Sequence, residues 1–104
     1  MMELVLTKHA VEESLHRMAG VYTKELKEQD KLKKLIIRDG KFYYSPGEEV
    51  YYCNVNNLMF CVFRKDKDKY TLKPTMVLVT LYPYTKKLKR KLLWCVKEKF
   101  DFAT

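Results

Sequence analysis

The spacing of the apolar residues changes near Ile36, and no other feature of the sequence constrains the fold as strongly. Upstream, residues such as Val11 and Leu15 recur at the spacing of a buried helical stripe. Downstream, short apolar runs alternate with turn signals such as Asp39-Gly40 and Asn56-Asn57. A chain of 104 residues has room for one core, so helices followed by a run of strands predict a single α+β domain.

Two N-terminal helices are predicted, over about residues 7–19 and 23–35. Thr7 is a suitable N-cap for the first helix, and Gly20 is a suitable residue to end it. The second helix is highly charged and has only a narrow apolar edge, so we expect it on the surface. Both helices must cover one face of the sheet to bury its apolar side.

The strands are expected to form an antiparallel meander of four to five strands. Asp39-Gly40 predicts a hairpin that pairs Ile36-Ile37 with residues 42–44. The segment 76–82 is the clearest strand, because it is rich in β-branched residues and is closed by Pro83.

Side chains alternate between the two faces of this last strand. Val77, Val79 and Leu81 are uniformly aliphatic, so we expect them to pack under the helices. Thr80 and Tyr82 would then line the open face.

After the last strand, an apolar residue recurs every four positions from Leu88 to Phe100, which predicts a basic C-terminal helix. The stretch 92–96 could also form a strand.

Residues 86–104 hold seven basic and two acidic side chains, so they carry +5 of the net charge of +8. Such a patch attracts phosphates, an anionic membrane or an acidic protein. A solvated lysine-rich face is the alternative. The basic residues around the apolar stripe are Lys86, Lys87, Arg90, Lys91 and Lys97, and the first four are predicted to bind nucleic acid.

The three cysteines form no CxxC pair, which argues against a zinc ribbon or a disulfide scaffold. If Asn56-Asn57 is a two-residue turn, Cys53 lies opposite Phe60 and Cys61 lies opposite Tyr52. The two thiols would then point to opposite faces of the sheet. We expect free, mostly buried thiols.

Several functional classes are excluded by what the sequence lacks. No apolar run approaches the roughly 18 residues of a membrane span, and the N-terminus has no signal-peptide pattern. Nucleophile motifs, phosphate-binding glycine loops and dinucleotide fingerprints are also absent. We therefore expect a cytoplasmic protein with no cofactor and no membrane association.

Two short motifs resemble a known family. The chain opens with Leu6-Thr7-Lys8-His9-Ala10, has Arg17 eight residues past the histidine, and places Gly20-Val21 before the second helix. It later carries Val79-Thr80-Leu81-Tyr82-Pro83. Over about residues 4–83, it resembles small domains of the BrnT and RelE-like toxin group, within the barnase, colicin and RelE-type ribonuclease superfamily.

The resemblance implies metal-independent cleavage of RNA, often as the toxin of a toxin–antitoxin pair with an acidic antitoxin or inhibitor as partner. Two departures stand out. Glu13 occupies a position where such domains commonly have an arginine, and residues 84–104 form a basic extension without a counterpart in the minimal domain.

Cleavage of RNA through its 2′-hydroxyl needs a general base, a general acid and cations for the phosphate. His9 is the candidate acid or base, because histidine titrates near neutral pH. Arg17, with Arg64 or Lys65, would bind the phosphate. The site would be completed by Tyr82 and Thr80.

Each assignment has an alternative. His9 can be an ordinary exposed histidine, and Arg17 can form a surface salt bridge with Glu13. His9, Glu13 and His16 share one helix face and could form a partial zinc site. The tyrosines of the sheet region suit unstacked bases, but tyrosine is also a favourable strand residue.

The leading hypothesis is therefore an RNA-binding, metal-independent endoribonuclease of toxin type. The alternative is a non-catalytic nucleic-acid-binding or adaptor protein of viral or mobile-element origin. A third possibility is an interaction protein whose basic C-terminus docks on an acidic partner.

Overall fold

The computed structural model of the chain describes residues 1–17 and 29–103, with the side chains of 13–17 and 29 outside the description. Nine elements follow one another in these ranges. They are β1 (Glu3–Val5), α1 (Lys8–Arg17), α2 (Gln29–Asp39), β2 (Gly40–Ser45), β3 (Val50–Val55), β4 (Met59–Lys67), β5 (Pro74–Pro83), α3 (Lys86–Leu92) and β6 (Val96–Glu98).

The strands form one six-stranded mixed sheet in the order β1-β5-β4-β3-β2-β6. Strands β2 to β5 are antiparallel neighbours, β6 pairs antiparallel with β2, and β1 pairs parallel with β5. The fold is α+β, but the predicted architecture of two N-terminal helices on a four- to five-stranded antiparallel meander is wrong. A strand precedes α1 and another follows α3, and these two strands occupy opposite edges of the sheet.

One face of the sheet, the helix face, carries the main core. Directly opposed residues such as Phe42, Cys53, Cys61 and Leu81 form a row across four strands on this face. Helices α1 and α2 cover it with buried side chains, which are Ala10, Val11, Leu32 and Ile36. The other face, crossed by α3, is called the α3 face below.

The helix boundaries differ from the prediction. The Thr7 hydroxyl accepts a hydrogen bond from the Ala10 amide at 3.2 Å, which confirms Thr7 as the N-cap of α1. Helix α2 continues to Asp39 and β2 begins at Gly40, so the hairpin predicted at Asp39-Gly40 is wrong. Helical spacing continues through Leu32 and Ile36, which are both fully buried. Residue 20 and the predicted start of the second helix at 23 lie outside the described residues.

The β3–β4 hairpin turns at Asn56-Asn57 as predicted, and both residues have a positive φ. However, Val55 pairs with Met59, so Leu58 is an additional loop residue. This shifts the register by one, and Cys53 lies directly opposite Cys61 on the same face. The predicted opposite orientation of these thiols is therefore wrong, while the prediction of free thiols is confirmed.

A register shift also divides β5. Val62 pairs with Thr80 and Phe63 with Leu78, so Val79 has no partner on β4 and is 48% exposed. Val79 is thus a β-bulge, and the alternation of side chains between the two faces of β5 is shifted by one residue there. Of the three aliphatic residues expected under the helices, Leu81 lies there and Val77 and Val79 do not; the core is formed instead by Met76 and Leu78.

The segment after Pro83 is built into the domain. Helix α3 ends at Leu92 and β6 begins at Val96, so the helix predicted to reach Phe100 is wrong. The alternative strand at 92–96 overlaps β6 only at Val96. Beyond β6 the chain passes over the helix face to the opposite edge. There the Met2 amide donates to the Asp101 carbonyl at 2.7 Å, and the Ala103 amide donates to the Met2 carbonyl at 2.9 Å.

Gly40 is required where α2 meets β2. A Cβ at this position would lie 2.6 Å from Cys53 Sγ and against the Ile36 carbonyl oxygen. We therefore expect Gly40→Ala to lower the free energy of unfolding by about 1–3 kcal/mol, measured by urea denaturation. A Cβ at Gly47 meets nothing within 4 Å, so Gly47→Ala is the matched control and should change stability by less than about 0.5 kcal/mol. Equal stabilities for the two variants would contradict this interpretation.

Phe42 joins the sheet to the C-terminal segment, with ring centroids 5.4 Å from Phe100 and 5.2 Å from Phe102. Phe42→Ala should lower the free energy of unfolding by about 3–5 kcal/mol, because it leaves a cavity between the sheet and the C-terminal segment. Tyr70→Ala removes an aromatic ring that is 95% exposed and should cost less than about 0.5 kcal/mol. Thermal or chemical unfolding compares the two, and a loss below about 1 kcal/mol for Phe42→Ala would show that the cluster contributes little.

Candidate nucleic-acid interface

Helix α3 forms for local reasons. Thr85 has an extended backbone, and its hydroxyl accepts a hydrogen bond from the Leu88 amide at 3.3 Å. Leu88 and Leu92 are one helical turn apart and half-buried, while the five Lys and Arg residues of the helix are exposed. The helix therefore turns a narrow apolar edge to the sheet and a cationic surface to solvent.

One of these five cations holds the helix to the sheet. Lys91 Nζ lies 3.1 Å from the Tyr52 hydroxyl, 3.3 Å from a Glu48 carboxylate oxygen and 5.2 Å from the centre of the Tyr52 ring. The hydrogen bond to Tyr52, with the nearby Glu48 carboxylate, raises the pKa of Lys91. Hydrogen bonds from Tyr52 and Lys91 hold the pKa of Glu48 below its ordinary value. Lys91, predicted to bind nucleic acid, is thus engaged within the protein.

A small aromatic cluster supports α3 from below. Tyr52 and Phe60 are almost fully buried on the α3 face, with ring centroids 5.0 Å apart. Tyr84, which leads into α3, lies 6.5 Å from Phe60. Burial raises the pKa of Tyr52 and of Tyr84, so both hydroxyls stay protonated at neutral pH. The residue that leads into α3 therefore lies beside this aromatic cluster.

The other four cations of α3 are exposed. In the ranges 1–17 and 29–103, none of them has an acidic partner within ion-pair distance. The sequence explains why, since residues 69–97 contain eight Lys or Arg and no Asp or Glu. Uncompensated charge therefore accumulates on one surface. This cationic surface consists of Lys86, Lys87, Lys89 and Arg90.

The structure does not bring the predicted catalytic residues together. His9 is exposed on α1, which packs on the helix face. Arg64, Thr80 and Tyr82 alternate with core residues and lie on the α3 face. The sheet therefore lies between α1, which carries His9, and the face that carries Arg64, so these two residues do not share a face. The side chain of Arg17 lies outside the described residues.

The remaining predicted residues do not form a compact site either. Lys65 lies opposite Met76 and so belongs to the helix face. Arg64 and Tyr82 share the α3 face, but Tyr82 lies opposite Phe60, four residues from Arg64 along β4. At about 3.3 Å per residue, this places their backbones roughly 13 Å apart along the strand. Arg64 instead lies 3.9 Å from the Asp66 carboxylate.

The zinc alternative cannot be placed, because the side chains of Glu13 and His16 lie outside the described residues. Among the residues that the structure does describe, no three His, Cys, Asp or Glu side chains form a group suited to a metal ion. Burial raises the pKa of Cys53 and Cys61, so both thiols stay protonated at neutral pH.

Two functional candidates were missed by sequence reasoning. Lys89 belongs to the cationic surface, and Trp94 follows α3 with 85% of its surface exposed. The signal that could have found Lys89 is the pair Thr85 and Leu88. Together they place the N-cap and the inward edge of α3, and so separate inward from outward positions.

No family model, curated protein or solved structure matches this chain. The resemblance to RelE-like and BrnT-like domains therefore stays a sequence-based prediction. Within the described ranges, no helix has the length and apolar character needed to cross a bilayer.

The contacts of Lys91 predict that its contribution to the stability of the protein is lost at alkaline pH. A basic group whose pKa is higher in the folded than in the unfolded state stabilises the fold fully at pH values below its unfolded pKa. This stabilisation is lost as the pH rises through its folded pKa. Lys91→Met should therefore lower the free energy of unfolding by up to about 1 kcal/mol near neutral pH, since the group is half exposed. This difference from the native chain should shrink above about pH 10.5.

Urea denaturation at several pH values measures this difference. Lys87→Met is the control, because Lys87 has no polar side-chain partner in the described part of the chain. It should change stability little at any of these pH values. A loss in Lys91→Met that is independent of pH would indicate lost packing and not a lost charge.

Proposed function

We propose that this protein binds RNA without cleaving it, through the cationic surface of α3. The observation that carries the proposal is the set of four exposed cations on seven consecutive residues, with no acidic side chain paired to them in the described chain. A polyanion that binds here releases its condensed counterions, which supplies favourable free energy without any base-specific contact.

The spacing of these cations suits consecutive phosphates. Lys86 and Arg90 are one helical turn apart, so their Cβ atoms lie about 5–6 Å from each other. The whole helix is roughly 10 Å long, which matches a contact with a few nucleotides and not with a long duplex. Because α3 is anchored through Lys91 and Tyr52, the helix that carries these cations is held against the sheet before the ligand binds.

Aromatic groups near the helix favour RNA over an acidic protein. Lys97 lies directly opposite Tyr43 on the α3 face, and burial, with a smaller contribution from Tyr43, raises the pKa of Tyr84. Rings interleaved with cations are typical of surfaces that contact unpaired bases. An acidic antitoxin or inhibitor would need only the charge.

Binding is favoured over cleavage because the groups needed for general acid–base catalysis are apart. Such catalysis requires a proton-transfer group within hydrogen-bond distance of the reacting oxygen. His9 lies on the helix face, whereas the cationic surface and the exposed Arg64 belong to the α3 face. We therefore expect labelled RNA to remain intact in the complex.

The double variant Lys86→Gln, Arg90→Gln tests the proposal. Each phosphate contact to a single strand contributes about 0.7 to the slope of log affinity against log salt. Loss of two contacts should reduce that slope by about 1.4 and weaken binding by about tenfold or more near 0.1 M salt. Fluorescence anisotropy of a labelled RNA over a salt series measures both quantities.

The double variant Lys34→Gln, Lys67→Gln removes the same charge from exposed positions on α2 and β4. It should leave the slope nearly unchanged, since these residues lie away from α3. Equal losses in the two double variants would mean that net charge and not this surface determines affinity. Native protein that fails to bind RNA at low salt, but binds an acidic protein, would refute the proposal.

A further inference from the structure

Two large apolar side chains project from the end of the cationic helix. Leu93 is 79% exposed and Trp94 is 85% exposed. The chain holds a single tryptophan, and it is placed here and not in the core. Exposed aromatic residues of this size are characteristic of binding surfaces.

The position of Trp94 is determined by ordered backbone on both sides. The Leu93 amide donates to the Arg90 carbonyl at 3.1 Å, and the Trp94 amide donates to the Lys91 carbonyl at 3.3 Å. These bonds extend α3 by a tighter turn. Two residues later, Val96 pairs with Tyr44 in the sheet. The indole is therefore carried on a fixed turn and not on a loose chain end.

We propose that Trp94 is a stacking site for an unpaired base of the RNA whose phosphates bind α3. The inference rests on the proposed function and adds the ligand class, which is single-stranded RNA. Bases in a duplex are already stacked on each other, so only an unpaired base can lie against an exposed indole.

Charge on both sides of Trp94 supports this assignment. Arg90 precedes it by four residues and is exposed, and Lys97 follows it by three residues on β6 and is also exposed. A strand that crosses this turn would meet a cation before and after the indole. The base between the two phosphates can then turn onto the ring, as on other single-strand surfaces.

An anionic membrane fits this surface less well. The leucines within α3, Leu88 and Leu92, are half-buried and face the sheet, so the outward surface of the helix carries cations only. The exposed apolar side chains of this part of the chain follow the helix and are Leu93, Trp94 and Val96. A helix that lies in a bilayer surface presents an apolar face along its length, and α3 does not.

The single tryptophan reports directly on its own contact. The fluorescence of Trp94 can be excited at a wavelength where tyrosine does not absorb. In native protein this fluorescence should decrease when oligouridine binds, because a stacked base quenches the indole. Inorganic polyphosphate carries the charge without bases, so it should bind with little quenching. Trp94→Ala should weaken oligouridine binding by about 5- to 150-fold and leave polyphosphate binding within about twofold. Trp94→Phe, which keeps an aromatic face, should retain most of the affinity.

The variants also separate the two proposals. If Trp94→Ala binds oligouridine as tightly as native protein while Lys86→Gln, Arg90→Gln binds it weakly, the stacking site is wrong and the cationic surface stands. If native protein binds neither oligouridine nor polyphosphate, both proposals fail. An RNA duplex that competes as well as oligouridine would overturn the single-strand assignment. The assignment would also be overturned if anionic vesicles bound the protein more tightly than RNA and shifted the tryptophan emission to the blue. Equal thermal unfolding of native and Trp94→Ala protein controls for folding.

Discussion

The ring of Phe42 is the contact on which the rest of the domain depends. It lies on the helix face, with its centroid within 5.5 Å of the ring centroids of Phe63, Phe100 and Phe102. This cluster packs the C-terminal segment against the helix face, and β6, which precedes that segment, lies beside β2. Between β5 and β6 the chain crosses the other face of the sheet, and α3 is this crossing. The surface proposed to bind RNA is therefore a consequence of how the core is closed.

The basic residues of α3 have two different roles. Lys91 faces the sheet and joins Tyr52 to Glu48, whereas Lys86, Lys87, Lys89 and Arg90 face solvent. The two leucines that face the sheet are only half-buried, so the helix contributes little apolar burial. Its position depends on a polar contact over the Tyr52–Phe60 cluster. Stability and the proposed binding thus use different members of one short basic run.

The candidate site could be predicted only in part. The concentration of charge after Pro83 was evident, and four of the basic residues chosen from the sequence belong to α3. The convergence of His9 with Arg64 could not be judged from sequence, because it depends on which face of the sheet each element occupies. Trp94 was missed for a related reason. Four-residue spacing suggested a helix through Phe100, and only the pairing of β6 with β2 ends that helix early and exposes the indole.

The sequence by itself determined the α+β class, the Thr7 cap of α1 and the turn at Asn56-Asn57. The cap and the turn depend on groups a few residues apart, and the class follows from the change in apolar spacing along the chain. Tertiary structure decided the strand order, the hairpin register and the faces of β5. A single extra residue, Leu58 in one hairpin and Val79 in one strand, reverses the alternation of the side chains that follow it. The place of such a residue is set by pairing and burial across the whole sheet, which no local pattern contains.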